Sequence, residues 1–122
     1  MVRFLFGALL LAHGAVHFMW LMPEPEDAKW PFRWESPLMP SVPAEKLRGP
    51  GTAVIALLFL GYAVAALGVW GVPFLAAVWV PAAVLASVVS VMITAVLWNN
   101  NFIANPAIDA LIIAAALLGW IR

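Results

Sequence analysis

Two histidines stand four residues apart in an apolar segment near the start of the chain. His13 and His17 occupy positions i and i+4, which places both imidazoles on one face of a helix, about 6 Å apart along its axis. A third ionisable residue, Asp109, lies in a distant apolar segment. Two imidazoles and a carboxylate are ligand types that suit Zn²⁺ or Fe²⁺. One interpretation of the sequence is therefore a metal site formed by His13, His17 and Asp109.

Further polar side chains fall at a similar depth in the apolar segments. If four spans alternate in direction, the end of the first and the start of the fourth lie at the same membrane face. Asp109 and His17 are then at similar depth, and we expect them to meet. Ionisable groups inside a span are candidates for function. The sequence predicts a polar pocket in this half of the bundle, lined by His13, His17, Tyr62, Ser90, Thr94, Asn99 and Asp109.

Most of these residues also have a purely structural interpretation. Asp109 can complement the positive end of the fourth helix dipole. The histidines can bond a neighbouring carbonyl or hydroxyl and join helices. Tyr62 suits a core, and Asn99 and Asn105 suit helix ends, with Asn105 as an N-cap.

The sequence lacks the motifs that several kinds of chemistry require. His-Glu-x-x-His is absent, and no serine or cysteine adjoins a base in a nucleophile motif, which argues against a hydrolase. A b-type haem held between two histidines needs them on different helices. His13 and His17 share one helix, so haem would require Met92 or a dimer.

The composition is that of a membrane protein. Of 122 residues, 66% are hydrophobic and 10% charged, and nine of the twelve charged residues fall between Pro23 and Gly49. No basic tract occurs, so nucleic acid is not an expected partner. The expected environment is the lipid bilayer, and we expect a multi-pass protein of the cell (inner) membrane.

Four segments are long and apolar enough to cross a bilayer core of about 30 Å. They predict an all-α, integral membrane bundle of four transmembrane helices in a single membrane domain, residues 1–122. The spans are predicted at about 3–22, 51–70, 73–98 and 106–121.

Prolines and tryptophans suggest where these spans end. Gly49 and Pro50 are expected to precede the second helix, and Pro81 to kink the third. Tryptophans near all four predicted helix ends are expected at the headgroup interface. These are Trp20, Trp70, Trp98 and Trp120.

The polar loop 23–49 is rich in proline and tryptophan. We expect either a flap on the headgroups or a lid over a site or partner surface.

Small residues on the third span predict its packing face. Ala82, Ala86, Ser90 and Thr94 recur at steps of four, and small side chains allow close approach of helices in a membrane. We expect this stripe to face the other helices.

The chain resembles a broad group of small bacterial four-helix membrane proteins that are distantly similar to DoxX-like proteins. The resemblance rests on the first-helix motif His13-Gly14-Ala15-Val16-His17, on Ser87 and Ser90 in a third helix that ends at Trp98, and on Asn105 before the last helix. It implies a four-helix membrane fold and, more distantly, a redox or quinone-related role.

Two functions follow as hypotheses. The first is a non-enzymatic accessory or assembly subunit of a membrane complex, whose partners are other membrane subunits or further copies of the chain. The alternative is a metal-, haem- or quinone-binding redox membrane protein that uses the His/Asp pocket.

Overall fold

The computed structural model describes residues 1–27 and 29–121. Over these residues the chain forms four α-helices and no strand: α1 (Val2–Val16), α2 (Ala44–Val69), α3 (Trp79–Val96) and α4 (Ala104–Leu117). Short 3₁₀ turns follow α1 (His17–Leu21) and precede α3 (Leu75–Ala77) and α4 (Asn100–Phe102). With these turns, four helical segments of the described chain are long and apolar enough to cross a membrane. The predicted all-α, four-span membrane fold is confirmed.

The helices pack in chain order. α1 packs on α2, α2 on α3, and α3 on α4, whereas α1 and α4 make little direct backbone contact. Glycines permit the closest approaches. A Cβ added at Gly14 of α1 would lie 3.0 Å from Tyr62 Cδ2, and one added at Gly61 would lie 3.0 Å from Ala86 Cβ. The bundle is therefore tight along three seams and leaves a cleft along the fourth.

The packing face of α3 follows the predicted small-residue stripe. Ala86, Ser90 and Thr94 are buried, and Ala82 is half-buried beside α2. This prediction is confirmed. Ser90 and Thr94 are thereby brought to the centre of the bundle with their hydroxyl groups.

The second helix begins earlier than predicted. α2 starts at Ala44 and contains Pro50, so Gly49 and Pro50 lie inside the helix. Glycine before proline lacks the Cβ that the proline ring would meet, and this makes a helical conformation accessible there. Pro50 is exposed near the polar end of the helix, where a carbonyl that loses its partner can be solvated.

The third helix begins later than predicted and Pro81 does not interrupt it. The connection from α2 turns at Gly71, with φ +89°, and at Phe74, with φ +68°, before α3 starts at Trp79. Pro81 is the third residue of α3, where its missing N–H would have no partner within the helix.

The loop after α1 is anchored in the bundle. Trp34 is 2% exposed, and its Nε1 donates a hydrogen bond to Trp20 O at 2.9 Å. Its ring lies so close to Gly51 that a Cβ there would overlap it. Trp20 is also buried, so its ring packs inside the protein at the end of the first span, whereas Trp70, Trp98 and Trp120 are exposed.

Candidate functional site

The two histidines of α1 sit where the α-helix gives way to a 3₁₀ turn. His13 belongs to the last turn of α1, and His17 is the first residue of the 3₁₀ turn. Both are buried, and their rings are 5.6 Å apart between centroids. The i, i+4 spacing therefore places the two imidazoles on one face, as predicted.

Asp109 of α4 accepts hydrogen bonds from three other helices. Its Oδ1 accepts from His13 Nε2 at 2.7 Å and from the Tyr62 hydroxyl at 2.5 Å. Its Oδ2 is 2.7 Å from Ser90 Oγ. Asp109 is fully buried, and a buried carboxyl is tolerated when its oxygens are hydrogen-bonded in this way.

His17 joins the same network through Ser90 rather than through Asp109 itself. Its Nδ1 is 3.1 Å from His13 O, and its Nε2 is 2.9 Å from Ser90 Oγ. The imidazole also stacks on Trp20, with 5.8 Å between ring centroids. The predicted meeting of Asp109 and His17 occurs through a shared hydroxyl, while His13 takes the direct contact.

The network extends to Asn105, which the sequence analysis assigned to a helix cap. Asn105 lies within α4, and its Nδ2 donates to Thr94 Oγ1 at 2.6 Å. The N-cap of α4 is Ile103, and it makes no side-chain cap bond. The predicted capping role of Asn105 is therefore wrong. Position 105 is one helical turn before Asp109, and that spacing was the sequence signal for a shared face.

The predicted pocket residues divide in two. Six of them form a set of buried side chains from all four helical segments: His13, His17, Tyr62, Ser90, Thr94 and Asp109. Asn105 links Thr94 to the other five members of this set. Asn99 is not part of it, because its Oδ1 instead accepts from Asn101 N at 2.9 Å in the connection before α4. We call this set with Asn105 the polar network.

Counting protons constrains the charge of the polar network. His17 Nδ1 must carry hydrogen, because the His13 carbonyl that it faces can only accept. Ser90 has one hydrogen but two close neighbours, Asp109 Oδ2 and His17 Nε2. With Asp109 ionised and His17 neutral, one of those contacts would join two acceptors. One further proton, on Asp109 or on His17, satisfies both contacts and makes the set of Asp109, Ser90 and His17 electrically neutral.

The arrangement does not resemble a metal centre. Within residues 1–27 and 29–121, no group of three His, Asp or Glu side chains is placed to hold an ion. Both nitrogens of His17 and Nε2 of His13 face protein partners.

A cleft between α1 and α4 reaches the edge of the polar network. Its volume is about 370 Å³. Its walls are mainly apolar, and His13 and Asn105 are among the residues that line it. Binding sites for small molecules are commonly of this kind, apolar with a few polar groups.

Comparison of the chain with family models, with curated proteins and with solved structures found no match.

Proposed function

We propose that this multi-pass membrane protein is a non-enzymatic accessory or assembly subunit of a larger complex in the cell's inner membrane. The observation that supports the proposal is the closure of the polar network. Its acid and base side chains are bonded mainly to one another and connect all four helical segments. Such a network stabilises and orients a small bundle.

The polar network offers little of what an enzyme needs. A nucleophile requires an adjacent base and open space for the reacting atom. Ser90 has an adjacent base in His17, but it is fully buried and also contacts Asp109. The network therefore favours a structural role over turnover.

The same contacts bear on the redox alternative, a metal-, haem- or quinone-binding protein. A metal or a haem iron needs imidazole nitrogens with free lone pairs. His17 has both nitrogens engaged within the bundle and His13 has Nε2 engaged, so only His13 Nδ1 is left for a metal, which favours the accessory role over a metal or haem role. A quinone needs only hydrogen bonds, so it stays as the second candidate. Under either function, the His-Gly-x-x-His segment of α1 would relate the chain to the small bacterial four-helix membrane proteins that are distantly similar to DoxX-like proteins.

Extraction from the native membrane tests the proposal. The tagged protein is purified in mild detergent, and native mass spectrometry and an optical spectrum are recorded on the same sample. We expect a colourless complex with one or more other polypeptides at fixed stoichiometry. A homogeneous protein that carries a metal, haem or quinone mass and no partner would contradict it.

Variants on two lipid-facing surfaces supply matched controls. Leu85 of α3 and Leu111 of α4 are both more than half exposed, at 65% and 62%. A tryptophan at either position changes one outer face and leaves the polar network intact. A partner seated on one face is lost with the tryptophan there and retained with the other. Loss with both or with neither would argue against a specific subunit contact on these faces.

A further inference from the structure

One nitrogen of His13 is not engaged by the polar network. His13 is 5% exposed, and its Nε2 contacts Asp109 Oδ1 at 2.7 Å. Its Nδ1 makes no hydrogen bond to any residue that the structure describes. A neutral histidine that donates through Nε2 keeps a lone pair on Nδ1. His13 thus retains an unused acceptor at the edge of the cleft.

Asn105 retains a second acceptor beside the same cleft. Its Nδ2 is committed to Thr94 Oγ1 at 2.6 Å. Across the described chain, its Oδ1 has no hydrogen-bond partner. Two acceptors without donors call for a ligand group that donates, such as a hydroxyl.

The cleft has mainly apolar walls between two membrane-spanning segments, so we expect it to open to lipid. α1 and α4 do not close on each other, and the residues along the two rims are apolar, with Leu9 and Val16 on α1 and Ile108 on α4. Leu9 and Val16 are 43% and 40% exposed in the part of α1 that spans the membrane. A molecule reaches His13 from the bilayer, so it must be soluble in lipid.

Aromatic side chains line the end of the cleft nearest the 22–43 loop, which is the connection between the 3₁₀ turn after α1 and the start of α2. Trp20, Phe32 and Phe102 all line it, and their ring centroids are 5.0–5.2 Å apart. Such a wall favours a flat ring, which can pack edge-to-face or offset on it. The volume of about 370 Å³ falls within the range of known small-molecule sites and exceeds the ~150 Å³ cavity that holds benzene.

We propose that the cleft between α1 and α4 binds a lipid-soluble molecule with a phenolic head, whose hydroxyl donates to His13 Nδ1 while its ring packs beside Trp20, Phe32 and Phe102. The molecule's apolar tail leaves between the two helices into the bilayer. This site is independent of the accessory role, because it uses residues of this chain alone.

The test measures the His13 imidazole directly. The full chain, labelled with ¹⁵N histidine, is placed in lipid nanodiscs and titrated with octylphenol and, separately, with octylbenzene, which lacks the hydroxyl. We expect octylphenol to shift the His13 Nδ1 resonance and to bind about tenfold more tightly than octylbenzene, the usual gain from one hydrogen bond in apolar surroundings.

Two variants separate the cleft from the rest of α1. Ala12 lines the cleft, whereas Ala15 is exposed elsewhere on the same helix. Ala12→Phe fills the cleft and should abolish the octylphenol shift, while Ala15→Phe should keep it. The proposal is overturned if octylphenol leaves His13 Nδ1 unmoved, if octylbenzene binds equally well, or if the two variants behave alike. Partner polypeptides are absent from this experiment, so its failure leaves the accessory role untouched.

Discussion

Asp109 is the residue on which the other polar side chains converge. Its carboxyl group takes hydrogen bonds from His13, Tyr62 and Ser90, which belong to α1, α2 and α3. None of these donors has an equally short alternative partner in the described chain. Removing the carboxyl group therefore leaves His13 Nε2 unpaired, and it leaves Tyr62 and Ser90 with their longer contacts to Ser87 Oγ at 3.2 Å and His17 Nε2 at 2.9 Å. The unpaired nitrogen carries a desolvation cost.

Two replacements of Asp109 should separate the effect of its shape on stability from the effect of its charge. In Asp109→Asn, Oδ1 still accepts from His13 and Tyr62, and Nδ2 donates to Ser90, whose hydroxyl then donates to His17. We expect Asn to change the free energy of unfolding by less than about 1 kcal/mol and Ala to lower it by about 3–5 kcal/mol. Denaturant titration in detergent measures both. Equal losses of unfolding free energy for the two variants would show that the hydrogen bonds made by residue 109 are not as described.

The extra proton in the polar network is a separate prediction. The hydrogen count predicts either a protonated Asp109 or a doubly protonated His17, with Ser90 between them. Infrared difference spectra between wild type and Asp109→Asn detect the acid, and ¹⁵N spectra of His17 detect the imidazolium. The network would carry a net negative charge, contrary to this expectation, if the carboxyl is ionised and both histidines are neutral. Ser87→Ala is a suitable control, because Ser87 contacts Tyr62 and lies outside the hydrogen-bonded path from Asp109 to His17.

At the scale of the helices, close approach decides which positions tolerate change. A Cβ at Gly68 of α2 would lie 2.5 Å from Leu75 O and 2.6 Å from Trp79 Cβ. Both atoms belong to, or are fixed by, the backbone that leads into α3. The seam between α2 and α3 can accommodate a methyl group there only by moving apart.

Gly68→Ala should therefore destabilise the bundle by about 1–3 kcal/mol, the usual cost of overpacking. Thermal unfolding in detergent measures the change. The neighbouring Leu67→Ala is the control, because Leu67 is exposed on the lipid face and its truncation should have little effect. A Gly68→Ala protein as stable as Leu67→Ala would mean that the two helices are less close than described.

Trp34 should hold the 22–43 loop against the bundle. Trp34→Ala removes a buried ring and its hydrogen bond to Trp20 O, a change worth about 3–5 kcal/mol at other buried aromatic sites. We expect proteases to cut the loop many times faster in this variant. Leu38→Ala, at an exposed position of the same loop, should be cut at the wild-type rate. A loop cut equally fast in both variants would show that Trp34 does not anchor it.

Sequence periodicity predicted the positions of the helices better than the rotation of each helix about its own axis. The four spans, the histidine pair and the α3 stripe follow from apolar length and from steps of four. The partners of each side chain depend on how a helix turns about its axis, and an alanine-rich span such as α4 leaves that undetermined. Asn105 was assigned to a cap because Pro106 follows it, but α4 already begins at Ala104 and the Asn105 side chain faces Thr94 inside the bundle. The burial of Trp34 could not be predicted from the sequence, because its pocket forms only when Gly51 and Trp20 are in place.

For the molecule as a whole, the order of the helices determines which connections share a membrane face. The loop after α1 meets the connection before α4, with 5.2 Å between the Phe32 and Phe102 ring centroids. The connection between α2 and α3, which contains Phe74, lies at the opposite end of α2. The charged residues of the described chain also concentrate on the loop side, where Lys29, Arg33, Lys46 and Arg48 stand against Arg3 at the other end.

Single cysteines can test this arrangement, because the chain contains none of its own. Leu38 and Phe74 are exposed, at 69% and 92%, in the two opposite connections. In membrane vesicles of known orientation, a maleimide that cannot cross the bilayer should label Leu38→Cys and Phe74→Cys from opposite sides. The larger number of Lys and Arg residues predicts that the Leu38 side lies in the cytoplasm. Labelling of both from one side would require an even number of spans between them and would overturn the four-span topology, whereas opposite labelling with Leu38 outside would overturn only the orientation.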